Sequence, residues 1–177
     1  MTLVEFIAAE LHRLHAMLNA ATRDLTPEQW HAIPGDNPRA NHIAFEMWHY
    51  VRTEDNIVRF ILQNRRPTVW MDGKWADRLS LPPVAQGTGM PAADAQAMRI
   101  NDLPAFGQYM KDVYASTDEW LANPDESTFS NIVTVKPLGE MPILTAISGL
   151  CMTHGYRHLG EIEFAKGLVA AKGGATI

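Results

Sequence analysis

His154 and His158 stand four residues apart in the run Cys151-Met-Thr-His154-Gly-Tyr-Arg-His158-Leu-Gly-Glu161. On a helix, at about 100° per residue, such a pair projects from one face, so two imidazole nitrogens can reach a single ion. The apolar stripe of the same segment is Ile147, Leu150, Cys151, Ala165 and Leu168; both histidines fall inside it, and so does Glu161. A single histidine there would read as a core residue satisfied by a hydrogen bond. Two stacked imidazoles with a carboxylate favour a metal. A third ligand is expected from His49, which shares a helical face with Phe45, Thr53, Asn56 and Phe60. Three histidines with a free fourth position form the catalytic type of zinc site, not the closed structural type. Imidazole suits several metals, so zinc or nickel is expected, with iron as a further candidate.

The other polar candidates carry two readings each. Glu10 either orients a ligand histidine or reaches the end of the fold. Glu46, one turn before His49, either approaches the metal or is solvated. Cys151 is a ligand, a reactive thiol or, more commonly for its type, a small buried hydrophobe. His12, His15, His31 and His42 read as surface residues. Glu46-Met-Trp-His49 is one Glu-x-x-His motif, but a di-iron bundle needs a second, and neither His154 nor His158 has a Glu three residues ahead. Gly155 after His154 rules out the His-Glu-x-x-His motif of zinc proteases.

Four long helices must position these groups. The first opens on the capping box Thr2-Leu-Val-Glu5 and carries Leu3, Phe6, Ile7, Leu14, Met17 and Leu18 at helical spacing. Thr26-Pro27-Glu28-Gln29 starts a short turn ending near Pro34. The second long helix spans about 41–64 with Asn41 as cap, the third about 102–122, and the fourth about 142–170. Residues 66–100 are rich in Pro and Gly, with one short helix near 92–98. This long crossover lets helices two and three run parallel. Val133-Thr-Val-Lys-Pro reads as a short extended piece. Helix two also has an apolar opposite face, Ile43, Met47, Tyr50, Val51, Ile57, Val58 and Ile61, which predicts either a homodimer surface or packing against the crossover. Trp70, Trp75 and Met90 either line the pocket mouth or cap the core.

The 177 residues suit one domain, 1–177, with an all-α four-helix bundle as the expected fold. A formal net charge of −5, with no basic stripe beyond Arg65-Arg66, argues against nucleic-acid binding. No run of about eighteen apolar residues predicts a membrane span. The N-terminus lacks a basic segment before an apolar one, and Cys151 is the one cysteine, so a cytoplasmic setting is expected.

The segment Asn41-His-Ile-Ala-Phe-Glu-Met-Trp-His49-Tyr-Val-Arg-Thr-Glu-Asp55 resembles the second helix of the DinB-like (DinB/YfiT) superfamily. His154-Gly-Tyr-Arg-His158-Leu-Gly-Glu161-Ile resembles its fourth-helix signature, and the Thr26 to Trp30 turn fits as well. The resemblance implies an up-down-down-up bundle, usually dimeric, with a metal triad mapping to His49, His154 and His158. It also implies a thiol-dependent transferase or isomerase using a low-molecular-weight thiol, although many relatives have no assigned activity. Glu161 stands where many relatives carry Gln, which leaves open whether it acts on metal or substrate. The expected function is therefore a metal-dependent thiol S-transferase acting in detoxification, with Glu161 or Glu46 moving the proton. A metal-dependent hydrolase and a non-enzymatic, stress-related metal-binding protein are the alternatives.

Overall fold

The computed structural model describes residues 1–122, 124–169 and 171, and it is mostly helical. Helix α1 (Leu3–Thr22) begins at the expected capping box. Glu5 N–H donates to the Thr2 hydroxyl, and the Thr2 N–H donates to the Glu5 carboxylate at 2.7 Å. Helix α2 (Pro27–His31) repeats the device with Thr26 and Gln29. Helix α3 (Ile43–Asp55) is capped not by Asn41 but by His42, whose Nδ1 accepts the Phe45 N–H. It runs on into a π-helical segment, Asn56–Ile61.

The crossover holds more helix than its prolines and glycines suggest: α4 (Val69–Asp72), α5 (Trp75–Leu79) and the expected α6 (Ala92–Ala97). Asp55 organises α4 from a distance, accepting the N–H groups of Val69 and Trp70, while the Tyr109 hydroxyl donates to the same carboxylate. Helix α7 (Leu103–Leu121) starts at Asp102, whose side chain accepts the Ala105 N–H. The extended piece becomes a hairpin, β1 (Ile132–Val135) antiparallel to β2 (Gly139–Pro142), with Val133 opposite Met141. The chain finishes as α8 (Ile143–Ile147), a second π-helical segment (Ser148–Thr153) and α9 (His154–Leu168). Among the described residues no helix is long and apolar enough to cross a membrane.

Helix α3 is the hub. It packs on α9, α7, α2 and α4, and every residue of it except His49 is buried. Ile43, Met47, Tyr50, Val51, Ile57 and Val58 are therefore covered within one chain. The apolar face that suggested a second copy is occupied within the chain by α7, α9 and the crossover, and the argument for a dimer from this face falls away. Trp70 and Trp75 likewise lie in the core, each 1% exposed, against Tyr109.

Two histidines expected at the surface are inside. The inward face of α1 is Ile7, Leu11, Leu14, His15 and Leu18, which turns Phe6 outward and His15 inward. His15 Nε2 donates to Glu54 at 2.9 Å, and the hydroxyls of Tyr50 and Thr117 donate to the same carboxylate at 2.6 Å each. Burial pushes Glu54 up, but the His15 charge and these three donors outweigh it and hold the carboxyl below its usual range. His42 is the second, fully buried beneath Met98. Gly155 lets α9 approach this layer, since a Cβ there would sit 2.4 Å from Leu14 and 2.6 Å from the Tyr50 ring.

Candidate metal centre

The π-helical segment 148–153 ends at His154, so α9 opens with that histidine and presents His158 one turn later on the same side. The turn-to-turn register places both against His49 of α3. The three rings meet edge to face, with centroids 4.4 Å apart for His154 and His158 and 5.1 Å for each with His49. One nitrogen from each lies within 4.8 Å of the other two. His154 Nε2 and His158 Nε2 are 2.8 Å apart. Two nitrogens on one tetrahedral ion stand about 3.3 Å apart, so a small opening of this pair accommodates a cation.

The tautomer of His49 follows from its partner. Nδ1 faces the Gln86 carbonyl at 2.5 Å, and a carbonyl only accepts, so Nδ1 carries the proton and Nε2 keeps its lone pair. Burial lowers the His49 pKa, although the Gln86 carbonyl opposes this. Burial, helped by the charges of His158 and His49, lowers His154 to about 4. Both imidazoles are neutral at pH 7, the form that ligates metals.

His158 Nδ1 lies between two carboxylates, 2.7 Å from Glu46 Oε2 and 2.8 Å from Glu161 Oε2, without hydrogen-bond alignment to either. Their environments differ. Burial pushes Glu46 up, but contact with His158 and a hydrogen bond from Asn41 bring it below its usual range. Glu161 is raised, first by burial and then by the charge of Glu46. Glu46 is thus the fixed anion behind His158, and Glu161 the carboxyl readier to hold a proton. A carboxylate behind a ligand histidine orients the ring and strengthens it as a donor.

A cavity of about 520 Å³ opens onto the triad. Its walls include Glu161, Thr53, Leu150, Met90 of the crossover and Lys136 of the hairpin. The crossover reaches in closely at Gly87, where both the space and the left-handed backbone favour glycine. Its φ is +94°, and a Cβ there would lie 3.0 Å from His49 Nδ1 and 3.2 Å from the buried Trp48 ring.

The structure thus brings together His49, His154, His158 and Glu161, as the sequence predicts, and Met90 joins the wall. Glu10 goes elsewhere, its carboxylate accepting the Tyr156 hydroxyl at 3.0 Å. Cys151 is fully buried, and burial pushes its thiol well above the ordinary range, which makes it neither ligand nor nucleophile. Glu46 is buried at the site, not solvated. The Gln86 carbonyl and Gly87 have no sequence signal beyond the Gly87-Thr88-Gly89 break.

The class these observations define is a helical protein with a His/Glu cluster able to hold a metal ion. Residues 10–162 match the DinB superfamily, and the chain belongs to that superfamily. Among solved structures, it is similar to the crystal structure of a conserved protein from Enterococcus faecalis, with a TM-score of 0.84 and 17% identity. The match covers 97% of this chain and 99% of that one, and it shows the shared fold. No curated protein matches the sequence.

Proposed function

We propose that the chain binds one divalent metal ion, zinc or nickel, through His49, His154 and His158, and uses it to activate a small thiol for attack on an electrophile. The observation that carries the metal is the convergence of three histidine nitrogens on one point at the floor of an open cavity. The thiol is supported by the family resemblance. The same reading takes α1, α3, α7 and α9 as an up-down-down-up bundle.

When bound, the metal supplies Lewis acidity that lowers the pKa of a thiol at its open position. The residues of the chain do the rest. Gln86 fixes the orientation of His49, and Glu46 sets a negative charge behind His158. Glu161, half-exposed at the cavity, accepts the S–H proton through a carboxylate oxygen as sulfur forms its bond to carbon and the leaving group departs with its electron pair. Val135, Pro137, Leu138 and Met90 form the apolar rim that receives the electrophile.

Elemental analysis of untagged protein tests the first half. About one metal per chain in the wild type, lost in His154→Ala, is expected. Metal-dependent consumption of thiol with a model electrophile tests the second half. Turnover of an activated ester without thiol would replace the transferase by a hydrolase.

A further inference from the structure

A second cavity, of about 660 Å³, lies beside the first, between the π-helical segment 56–61 and strand β1. The two share Gln86, Val135 and Lys136 as a common wall. The floor of the second cavity is apolar, built by Ile57, Phe60 and Ile61, and its rim is cationic, with Arg65 at one side and Lys136 at the other.

The charge patterns of the neighbours are opposite. Glu46 and Glu161 line the first cavity, and no acidic residue lines the second. The nearby arginines that face elsewhere are paired, Arg59 with Asp72 at 2.8 Å and Arg66 with Glu119 at 3.8 Å. Among the described residues no carboxylate lies within ion-pair distance of Arg65 or Lys136. In a chain with net charge −5, two unneutralised cations around one cavity form a local field that attracts an anion.

The backbone points the same way. Asn64 and Arg65 are consecutive non-glycine residues in the left-handed region, at φ 50° and 64°. They turn the chain out of the helix, with the Arg65 N–H donating to the Phe60 carbonyl, and so set Arg65 at the cavity. The π-helical turn ahead of them widens the helix where the cavity forms, a feature frequent at functional sites.

We propose that this second cavity binds the carboxylate end of an elongated ligand whose reactive end sits at His49, His154 and His158. The proposal rests on the metal reading above and adds the ligand class: a molecule with a donor atom at one end and a carboxylate at the other. Carboxylate is preferred to phosphate because no glycine nest lines this cavity. The Arg65 guanidinium offers the planar fork that matches a carboxylate, and Lys136 supplies a point charge on the shared wall.

The test uses the full chain loaded with zinc and two probes, glutathione and its diethyl ester, which share a thiol and differ in carboxylate charge. Calorimetric titration of the wild type is expected to show glutathione binding about tenfold tighter than the ester. Arg65→Ala/Lys136→Ala is expected to lose that factor, so that the variant binds glutathione and the ester equally. Both side chains are exposed, so the variant folds. Equal affinity for acid and ester in the wild type, or unchanged discrimination in the double variant, would overturn the proposal. S-methylglutathione, which has no thiol, separates this from the metal reading. Its weak binding to metal-free protein should still depend on Arg65 and Lys136, even if the triad holds no ion. Displacement of that probe by inorganic phosphate at lower concentration than by succinate would overturn the choice of carboxylate.

Discussion

Glu46 shows how one side chain changes meaning between sequence and structure. In sequence it is a carboxylate one turn from a histidine, as consistent with solvent as with a site. In the fold it stands against His158, a residue 112 positions away, and its burial leaves it little else to do. Glu46→Gln keeps the shape and removes the charge. A chelator-competition titration should show metal affinity reduced by roughly 10- to 100-fold, with folding intact. His42 makes a second prediction. Burial, with the charges of His31 and Arg99, lowers its pKa to about 4. Its neutral ring accepts the Phe45 N–H and donates to the Met98 carbonyl, and a proton on Nδ1 would break the first bond. The unfolded chain takes up that proton near pH 6.5 and the folded chain does not until about 4. Stability is therefore complete above pH 6.5 and is lost as pH falls from there to 4, by at most about 3 kcal/mol. Urea midpoints measured across that window should fall, and His42→Asn, which retains a capping side chain, should flatten the dependence.

At the scale of elements, the sequence places the long helices well because their caps and apolar periods are local signals. Thr2, Thr26 and Asp102 cap where their side chains predict. What escapes is anything decided by a distant residue. Helix α4 has a local cap in Thr68, but its first two amide hydrogens go to the distant Asp55, and His42 displaces Asn41 as a cap because the Met98 carbonyl fixes its ring. The two π-helical turns also have no local cue, and the second resets the register so that Ile162 is buried while Leu168 is exposed. The crossover is the element the site depends on most. Gly87→Ala adds a Cβ against His49 at a positive φ, so the loop must withdraw and the Gln86 carbonyl with it. The expected result is a modest stability loss, about 1–2 kcal/mol by thermal melting, with a larger proportional loss of metal affinity.

For the whole molecule, the helical class and the clustering of His49, His154 and His158 were both readable, because the three residues lie on two helices whose faces the sequence sets. The partnership of those helices with the core was not. An apolar second face on helix two invites a second chain until α7, α9 and the crossover are seen to cover it. A metal at the triad would link α3 to α9, residues more than a hundred positions apart in the chain, and so would stabilise the folded state by mass action. Free metal at about a hundred times Kd adds about 2.7 kcal/mol, or roughly 5–10 °C in Tm for a chain of this size. Differential scanning calorimetry with and without chelator measures it, and His154→Ala should melt at the same temperature in both.

The close fit of Gly87 over Trp48 has an optical consequence. An indole sealed from water emits at short wavelength, and this one lies against the ring of Phe45 and the glycine that touches His49. A paramagnetic ion such as copper(II) at the triad would quench that emission over so short a range. Titrating the ion and watching the blue edge of the spectrum should give a saturable decrease, and Trp48→Phe should abolish it while leaving the light from Trp70 and Trp75 in place. The chain would then report the occupancy of its own site without a label.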